Sequence, residues 1–172
     1  MKLRKAAPAE FEAVRNFYWD TIDLMTDPAV GWKKGIYPDD EFILGSLEKG
    51  ELYVFDGADG GYAASVIVNS ATNEGYAGVK WQIECDAREV LIPHALAVYP
   101  PLHGKGIGGK VVDGIIEMAR LGGKKAVRLD VLTGNEAAER LYGSRGFRYV
   151  DTRDLYYEDT GLVAFRLFEL VL

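Results

Sequence analysis

Cysteine and long apolar runs are nearly absent from this chain. Cys85 is the only cysteine among 172 residues, so a framework of disulfides is excluded. The sequence has no signal-peptide pattern and no apolar run long enough to span a bilayer. It therefore predicts a protein of the cytoplasm that does not associate with membranes.

An excess of positive charge is also missing. The formal net charge is -6 and the isoelectric point is about 5.0. Because binding to nucleic acid depends on clustered Lys and Arg that displace counterions, we expect no nucleic-acid partner. Any bound anion has to be held by local geometry. With 48% hydrophobic residues the chain can bury a full core, and we expect a single domain over residues 1–172.

A glycine-rich loop stands between an apolar run and a segment with helical periodicity. It reads His103-Gly104-Lys105-Gly106-Ile107-Gly108. Small side chains let backbone N–H groups approach a ligand closely. At the start of a helix these groups lack intrahelical partners and favour a phosphate. The loop is a candidate anion cradle, and the alternative is an ordinary flexible turn.

Two common phosphate-binding motifs fit this loop poorly. Residues 104–109 match G-x-G-x-x-G, with Asp130 near the position of a ribose-binding acid. Residues 99–103, which include two prolines, separate the first glycine from its strand, and the dinucleotide motif has no such insertion. Residues 104–110 also match G-x-x-x-x-G-K, but Val111 stands where a P-loop needs Ser or Thr. A P-loop nucleotide hydrolase is therefore a disfavoured alternative.

The wider neighbourhood of the loop carries two signatures. Residues 94–108 read HALAVYPPLHGKGIG, and residues 135–147 read NEAAERLYGSRGF. They resemble the strand, turn and Q/R-x-x-G-x-G/A loop, and the N-x-x-A-x-x-L-Y-x-x-x-G-F segment, of the GCN5-related N-acetyltransferases (GNAT family). The resemblance implies that acetyl-CoA binds without a metal, with its pyrophosphate on the loop. His103 departs from the family's usual Arg or Gln, which affects a side-chain contact in a cradle made mainly of backbone N–H groups.

The resemblance also implies the fold. Periodicities predict the order β-α-α-β-β-β-α-β-α-β-β, with a central strand over Glu89–Tyr99 and Trp81–Cys85 as part of the preceding meander. This order is similar to the family's α/β (α+β) fold, a mixed, mostly antiparallel sheet flanked by helices and splayed between strands 4 and 5. The gap lies near Leu96–Val98 and Ala126–Leu132, where exposed backbone can bond the pantetheine arm.

Implied coenzyme-binding residues lie in the central strand, the loop and the second signature. They are Leu96, Ala97, Val98, His103, Gly104, Lys105, Gly106, Ile107, Gly108, Gly109, Asn135, Ala138 and Tyr142. For the strand residues the alternative is ordinary core packing, and for Asn135 it is capping of a helix alone.

Acetyl transfer to an amine needs a neutral amine and a proton for the departing thiolate. The resemblance implies that Tyr142 donates this proton; the alternative is a tyrosine that only packs its ring. His94 matches a histidine base of the family's arylalkylamine branch, and its usual pKa of about 6.5 suits that role. The alternative for His94 is a buried core residue. Glu84, acting through water, is the main competing base.

Aromatic residues surround an irregular bridge that we predict over residues 27–37. Trp32 and Tyr37 lie in this bridge, and Trp81 is expected on a neighbouring strand. In the family this segment overhangs the acceptor side, so the rings imply an apolar wall for a small-molecule primary amine. The alternatives are a loop that only fills the core edge, and a non-catalytic acyl-CoA-binding or regulatory domain. The sequence leaves a homodimer open.

Overall fold

The computed structural model describes residues 3–26 and 30–172, and the predicted element order is found within them. Of the predicted bridge, residues 27–29 lie outside the described part. The elements are β1 (Leu3–Lys5), α1 (Phe11–Leu24), α2 (Asp40–Glu48), β2 (Leu52–Asp56), β3 (Tyr62–Asn69), β4 (Val90–Val98), α3 (Ile107–Leu121), β5 (Ala126–Leu132), α4 (Glu136–Gly143), β6 (Arg148–Tyr157) and β7 (Gly161–Val171).

Side-chain caps and a glycine fix several helix ends. Asp39 accepts a hydrogen bond from the Phe42 backbone N–H at 2.7 Å and so begins α2. Asn135 accepts from the Ala138 N–H at 3.0 Å and begins α4. After α3 the chain turns at Gly123, whose φ of 65° suits a residue without a side chain. These residues determine where α2 and α4 begin and where the chain leaves α3.

The strands form a seven-stranded sheet in the order β1-β2-β3-β4-β5-β7-β6. Neighbouring strands are antiparallel except for β4 and β5, which are parallel. These two pair only at Val90 with Ala126 and at Leu91 with Val127, and then they diverge. The predicted fold class and the splay between strands 4 and 5 are therefore confirmed.

Helices cover both faces of the sheet. α3 buries Val111, Val112 and Ile115 against one face, and α1 and α2 bury Val14 and Ile43 in a separate cluster on the other. Across residues 3–26 and 30–172, no helix combines the length and apolarity that a bilayer crossing requires. The splay thus lies between two helical layers, and each layer contributes residues to it.

The segment Trp81–Cys85 is irregular, so the prediction that it belongs to a strand meander was wrong. Glu169 of β7 is fully buried and accepts hydrogen bonds from the Gln82 backbone N–H at 2.6 Å and from Arg128 Nε at 2.8 Å. Arg128 Nη2 donates to the Ile83 carbonyl at 2.8 Å. Side chains therefore satisfy backbone groups that a sheet ladder would otherwise pair.

Candidate active site

The divergence of β4 and β5 opens a cleft of about 710 Å³. Its walls also include the starts of α3 and α4, the segment after α1 and the turn between β6 and β7. Most of the predicted coenzyme-binding residues line it: Leu96, Ala97, Val98, His103, Gly104, Gly106, Ile107, Gly108, Gly109, Asn135, Ala138 and Tyr142. Lys105 is exposed and is not among the lining residues.

A β-bulge distorts β4 in the middle of this cleft. Its pairing with β3 shifts by one residue within His94–Ala97. Ala95 has a φ of 48°, in the left-handed region, and its carbonyl accepts a hydrogen bond from the Tyr18 hydroxyl at 2.9 Å. Because β5 diverges after Leu91, the backbone of β4 beyond that residue has no strand partner on the cleft side. A ligand lying along β4 can pair with these groups as an added strand would.

The glycine-rich loop brings the start of α3 to one end of the cleft. Gly106 precedes the helix with a φ of 75°, and its carbonyl accepts the first helical bond from the Lys110 N–H at 3.2 Å. The N–H groups of the first turn therefore have no acceptor inside the helix. A Cβ on Gly108 would lie 3.3 Å from Leu141 Cδ2, so the lack of a side chain at Gly108 keeps this part of the first turn open toward the cleft. The loop has the geometry of the predicted anion cradle.

His103 ties the loop to the end of β4. Its Nε2 lies 2.9 Å from the Val98 carbonyl oxygen. Because a carbonyl can only accept, Nε2 carries the proton and donates it. The departure from Arg or Gln at this position thus supports the shape of the loop with a hydrogen bond to the backbone.

Arg145 is a cleft-lining residue that the sequence analysis missed. A Cβ on Gly109 would lie 1.8 Å from Arg145 Nη2, so the guanidinium lies directly on the first turn of α3. Its Nε is 3.4 Å from Asp113 Oδ1. Arg145 falls in a variable position of the second signature, so no pattern in the sequence pointed to it. It adds a positive charge beside the cradle, where an anion would bind.

Tyr142 lines the cleft from α4 and is 8% exposed. Its ring packs edge-to-face on Phe147 at 5.4 Å between centroids. The hydroxyl has no hydrogen-bond partner in the described part of the chain. Burial, with a smaller contribution from the charge of Asp130, raises the pKa of Tyr142 well above its usual value of about 10. Tyr142 therefore lines the cleft with a protonated hydroxyl that has no partner among the described residues.

His94 reaches the same cleft from β4. Its Nε2 lies 2.8 Å from Asn69 Oδ1, and this oxygen also accepts from the Ala71 N–H at 2.9 Å. Asn69 Nδ2 donates to Glu51 Oε2 at 3.0 Å, which fixes the orientation of the amide. His94 must therefore donate from Nε2 and keep a lone pair on Nδ1. Burial lowers the pKa of His94 to about 4, so the ring is neutral at physiological pH.

A carboxylate held by two phenols lies across the splay from His94. Asp130 Oδ2 accepts hydrogen bonds from the Tyr76 hydroxyl at 2.7 Å and from the Tyr157 hydroxyl at 2.8 Å. Burial raises the pKa of Asp130, and these two bonds oppose that shift. Asp159, in the turn between β6 and β7, is 5% exposed and lines the cleft as well. Sequence reasoning noted Asp130 only as a weak match to a ribose-binding acid and did not consider Asp159.

Aromatic rings form a continuous wall at this end of the cleft. Trp32 lies 6.0 Å from Tyr37 between ring centroids, and Tyr37 lies 6.2 Å from Tyr157. Trp32 and Tyr37 line the cleft, and they also pack on the buried cluster of α1 and α2. Both rings therefore line the cleft, and they contribute to the core edge too.

The structure does not bring Trp81 or Glu84 to the cleft. Trp81 packs over the Arg128 guanidinium at 4.4 Å and beside Tyr76 at 5.3 Å. The contacts of the neighbouring Gln82 and Ile83 with Glu169 and Arg128 hold this segment at the end of the sheet where β4 and β5 are still paired. The predicted roles of Trp81 in acceptor binding and of Glu84 as a base therefore have no support in this geometry.

Comparison with known proteins gives the same family as the two sequence signatures. The model of the acetyltransferase (GNAT) family matches residues 12–147. The N-alpha-acetyltransferase RimI of Mycobacterium tuberculosis is 34% identical over 99 residues, which are 58% of this chain and 60% of that protein. The stretches matched in curated relatives span between 19% and 60% of the lengths of those proteins.

Solved structures share the fold at low sequence identity. A GNAT-family acetyltransferase from Streptococcus agalactiae gives a TM-score of 0.79 at 19% identity, covering 99% of this chain and 95% of that one. The protein yncA from Salmonella typhimurium, solved with its cofactor acetyl-CoA, gives 0.72 at 20% identity, covering 100% and 94%. The family match across most of the chain, together with this fold, shows that the protein belongs to the GNAT acetyltransferase family.

Proposed function

We propose that the protein is an acetyl-CoA-dependent N-acetyltransferase that moves an acetyl group directly to the primary amine of a small molecule. The observation that carries this proposal is the single cleft that joins the glycine cradle, the unpaired edge of β4 and the hydroxyl of Tyr142. We propose a single catalytic domain over residues 1–172 that acts in the cytoplasm, and a homodimer remains an open alternative to a monomer.

The residues of the cleft fit acetyl-CoA as co-substrate without a metal. The first turn of α3 and the Arg145 guanidinium would hold the pyrophosphate, because both present donors and positive charge at one place. The edge of β4 over Leu96–Val98 would pair with the amides of the pantetheine arm. Asn135 and Ala138 line the cleft on the opposite side, at the start of α4.

Proton transfer would be divided between two residues. His94 Nδ1 has a lone pair and can accept a proton from the incoming ammonium, directly or through water. The neutral nitrogen then attacks the thioester carbonyl carbon and the bond between carbon and sulfur breaks. The nitrogen loses its second proton as the amide forms, and this proton passes to water or returns to Tyr142. Tyr142 can donate its hydroxyl proton to the departing thiolate, since its raised pKa keeps it protonated. A histidine with a pKa of about 4 is in its neutral, proton-accepting form at physiological pH, but it is a weak base.

Two contacts at the acceptor end support a small acceptor. A Cβ on Gly31 would lie 2.7 Å from Thr160 Cγ2 and 3.2 Å from Leu132 Cδ2. Gly31 therefore packs closely against both the β6–β7 turn and β5. The ring contact between Tyr37 and Tyr157 joins the segment that carries Tyr37 to β6. An extended peptide would need this side to be open.

Acetylation of a protein N-terminus is the second candidate function. It is favoured by the identity of 34% to the RimI protein, whose name describes it as an N-alpha-acetyltransferase. A peptide could place only its first residue in the cleft and leave the remainder outside. The two candidates therefore differ in what lies beyond the reacting nitrogen.

Thiol release in the presence of acetyl-CoA tests the proposal. The panel contains 2-phenylethylamine, 3-methylthiopropylamine, isoamylamine, and a peptide that begins with alanine. We expect turnover with at least one small amine at a higher kcat/KM than with the peptide. Turnover with the peptide alone would favour the second candidate.

Absence of turnover despite acetyl-CoA binding would instead support a non-catalytic acyl-CoA-binding domain. Nucleotide binding that requires magnesium would support the P-loop alternative, which Val111 disfavours.

A further inference from the structure

The acceptor end of the cleft carries two carboxylates. Asp130 is fixed by the hydroxyls of Tyr76 and Tyr157, and Asp159 lines the same end from the β6–β7 turn. Asp130 is buried against two phenol rings, and Asp159 is 5% exposed. A carboxylate in such a place is stable as an anion only when a cation or several donors compensate its charge.

Cationic side chains around Asp130 are already paired with other acids. Arg128, two residues earlier on β5, binds Glu169 at 2.8 Å. Arg166 of β7 binds Glu139 at 2.5 Å, and Arg145 at the cradle end lies near Asp113. Lys33, which lies near Asp159, is exposed and does not line the cleft. Within the described part of the chain, neither Asp130 nor Asp159 therefore forms a salt bridge. Burial raises the pKa of both carboxyl groups, and an ammonium ion placed beside them would favour their ionised forms.

Other groups that face Asp130 are neutral. The phenols of Tyr37 and Tyr142 line the cleft, and His94 on β4 is neutral. The hydroxyl of Tyr142 has no partner in the described part of the chain, so this hydroxyl can form a hydrogen bond with a ligand in the cleft. Ring faces and a carboxylate together form the environment that attracts an ammonium group.

We propose that Asp130 binds the cationic end of the acceptor and thereby selects amines that lack a carboxylate next to the nitrogen. This inference rests on the proposed N-acetyltransferase function and names its acceptor class as small cationic amines. At neutral pH a primary amine reaches the cleft as an ammonium ion. An amino acid would bring its own carboxylate against Asp130 and Asp159, where like charges repel. The two phenols position the Asp130 carboxylate, and Tyr157 is the partner that also lines the cleft.

A set of matched substrates and variants tests this proposal. Each amine of the panel is compared with the amino acid that differs from it only by the carboxylate, namely phenylalanine, methionine or leucine. The variants are Asp130→Asn, which keeps the shape and removes the charge, and Tyr157→Phe, which removes one donor. Asp154→Asn is the matched control, because Asp154 is exposed on β6 and outside the cleft. Acetyl-CoA affinity is measured for every variant.

The wild-type enzyme is expected to prefer each active amine over its amino acid. Asp130→Asn should lower kcat/KM for the amine by about 10- to 100-fold, mainly through KM, because a charged hydrogen bond is lost. It should also reduce the preference over the amino acid. Acetyl-CoA affinity and the Asp154→Asn control should be unchanged. Turnover that continues in Asp130→Asn with the same KM and the same preference would overturn the role of Asp130 and leave the proposed function intact.

A measurement on the wild-type protein decides the question if the variants do not fold. N,N-dimethyl-2-phenylethylamine is a cation at neutral pH, and 2-phenylethanol is its neutral counterpart. If the acceptor site selects a cation, the tertiary amine should compete with the acceptor at a concentration at least about 10-fold lower than the alcohol. Equal inhibition by the two compounds would refute the proposal.

Discussion

Tyr142 combines a buried ring with a hydroxyl that has no partner among the described residues. The change Tyr142→Phe keeps the packing on Phe147 and removes the proton donor. We expect kcat to fall about 100-fold or more, which is a usual contribution of general-acid catalysis. The measurement is thiol release at saturating acetyl-CoA, under conditions in which chemistry limits the rate.

Two controls accompany this prediction. Tyr156→Phe removes an exposed hydroxyl from β6 and should leave kcat unchanged. Acetyl-CoA affinity should stay the same in both variants. Full turnover in Tyr142→Phe would reduce Tyr142 to a packing residue, the alternative that its sequence context also allowed.

His94 makes the stability of the folded protein depend on pH. Burial lowers its pKa from the usual 6.5 to about 4 in the folded protein, so the unfolded chain binds the proton more readily. Stability is therefore full above pH 6.5 and falls as the pH drops toward 4, by an amount of order 3 kcal/mol. We expect His94→Gln, which cannot be protonated, to lose this part of the acid sensitivity in urea unfolding curves.

The same residue sets an expectation for activity. If His94 is the base, kcat/KM should show an acidic limb near pH 4 and not near the usual histidine pKa, and His94→Gln should abolish that limb. A wild-type limb near 6.5, or a limb that persists in the variant, would point to another group. Asp130 is then the first candidate for the base, because it lines the cleft and Glu84 does not.

At the scale of elements, the start of α3 determines access to the cradle. A Cβ on Gly108 would lie 3.3 Å from Leu141 and 3.6 Å from Val98, so Gly108→Val would push methyl groups into the cleft. We expect the acetyl-CoA Kd, measured by calorimetry, to rise at least about 10-fold. Gly45→Val in α2 is the control, because a Cβ there meets nothing within 4 Å. Unchanged affinity in a folded Gly108→Val protein would exclude the cradle as the pyrophosphate site.

Elements with local signals were predictable from the sequence. Capping by Asp39 and Asn135 involves residues three positions apart, so the pattern alone indicates where those helices begin. The segment Trp81–Cys85 has the composition of a strand, but its conformation is set by Arg128 and Glu169, which are distant in sequence. Periodicity cannot detect such a contact.

Only one end of the candidate site could be predicted from local sequence patterns. Motifs identified the glycine-rich loop and the start of α4, which line the proposed coenzyme end of the cleft, because the turn before α3 requires glycines at fixed spacing. The proposed acceptor end is assembled from β5, β6 and the β6–β7 turn, and no short motif connects Asp130 with Tyr157 or Asp159. Asp130 and Tyr157 are 27 residues apart in the sequence and meet only through the strand order β5-β7-β6.

At the scale of the whole molecule, the two pairs that join β4 to β5 separate the sheet into two parts. One part contains β1 to β4, and the other contains β5, β7 and β6. α3 bridges them, since its buried residues cluster with residues of both parts. The cleft is therefore the boundary between two sets of strands that are each well hydrogen-bonded.

This boundary affects how amide hydrogens exchange with solvent in the two parts of the sheet. With only two ladder pairs across it, the parts need not exchange their amide hydrogens as one cooperative unit. A ligand that bridges β4 and α3 would couple them. We expect acetyl-CoA to slow hydrogen–deuterium exchange in β4 beyond Leu91 and in the first turn of α3, and to leave β6 unchanged. Mass spectrometry of the exchanging protein measures this, and slowing that is uniform over the chain, or absent, would contradict it. Binding of the co-substrate along the unpaired edge of β4 would then hold the two parts of the sheet together before acetyl transfer begins.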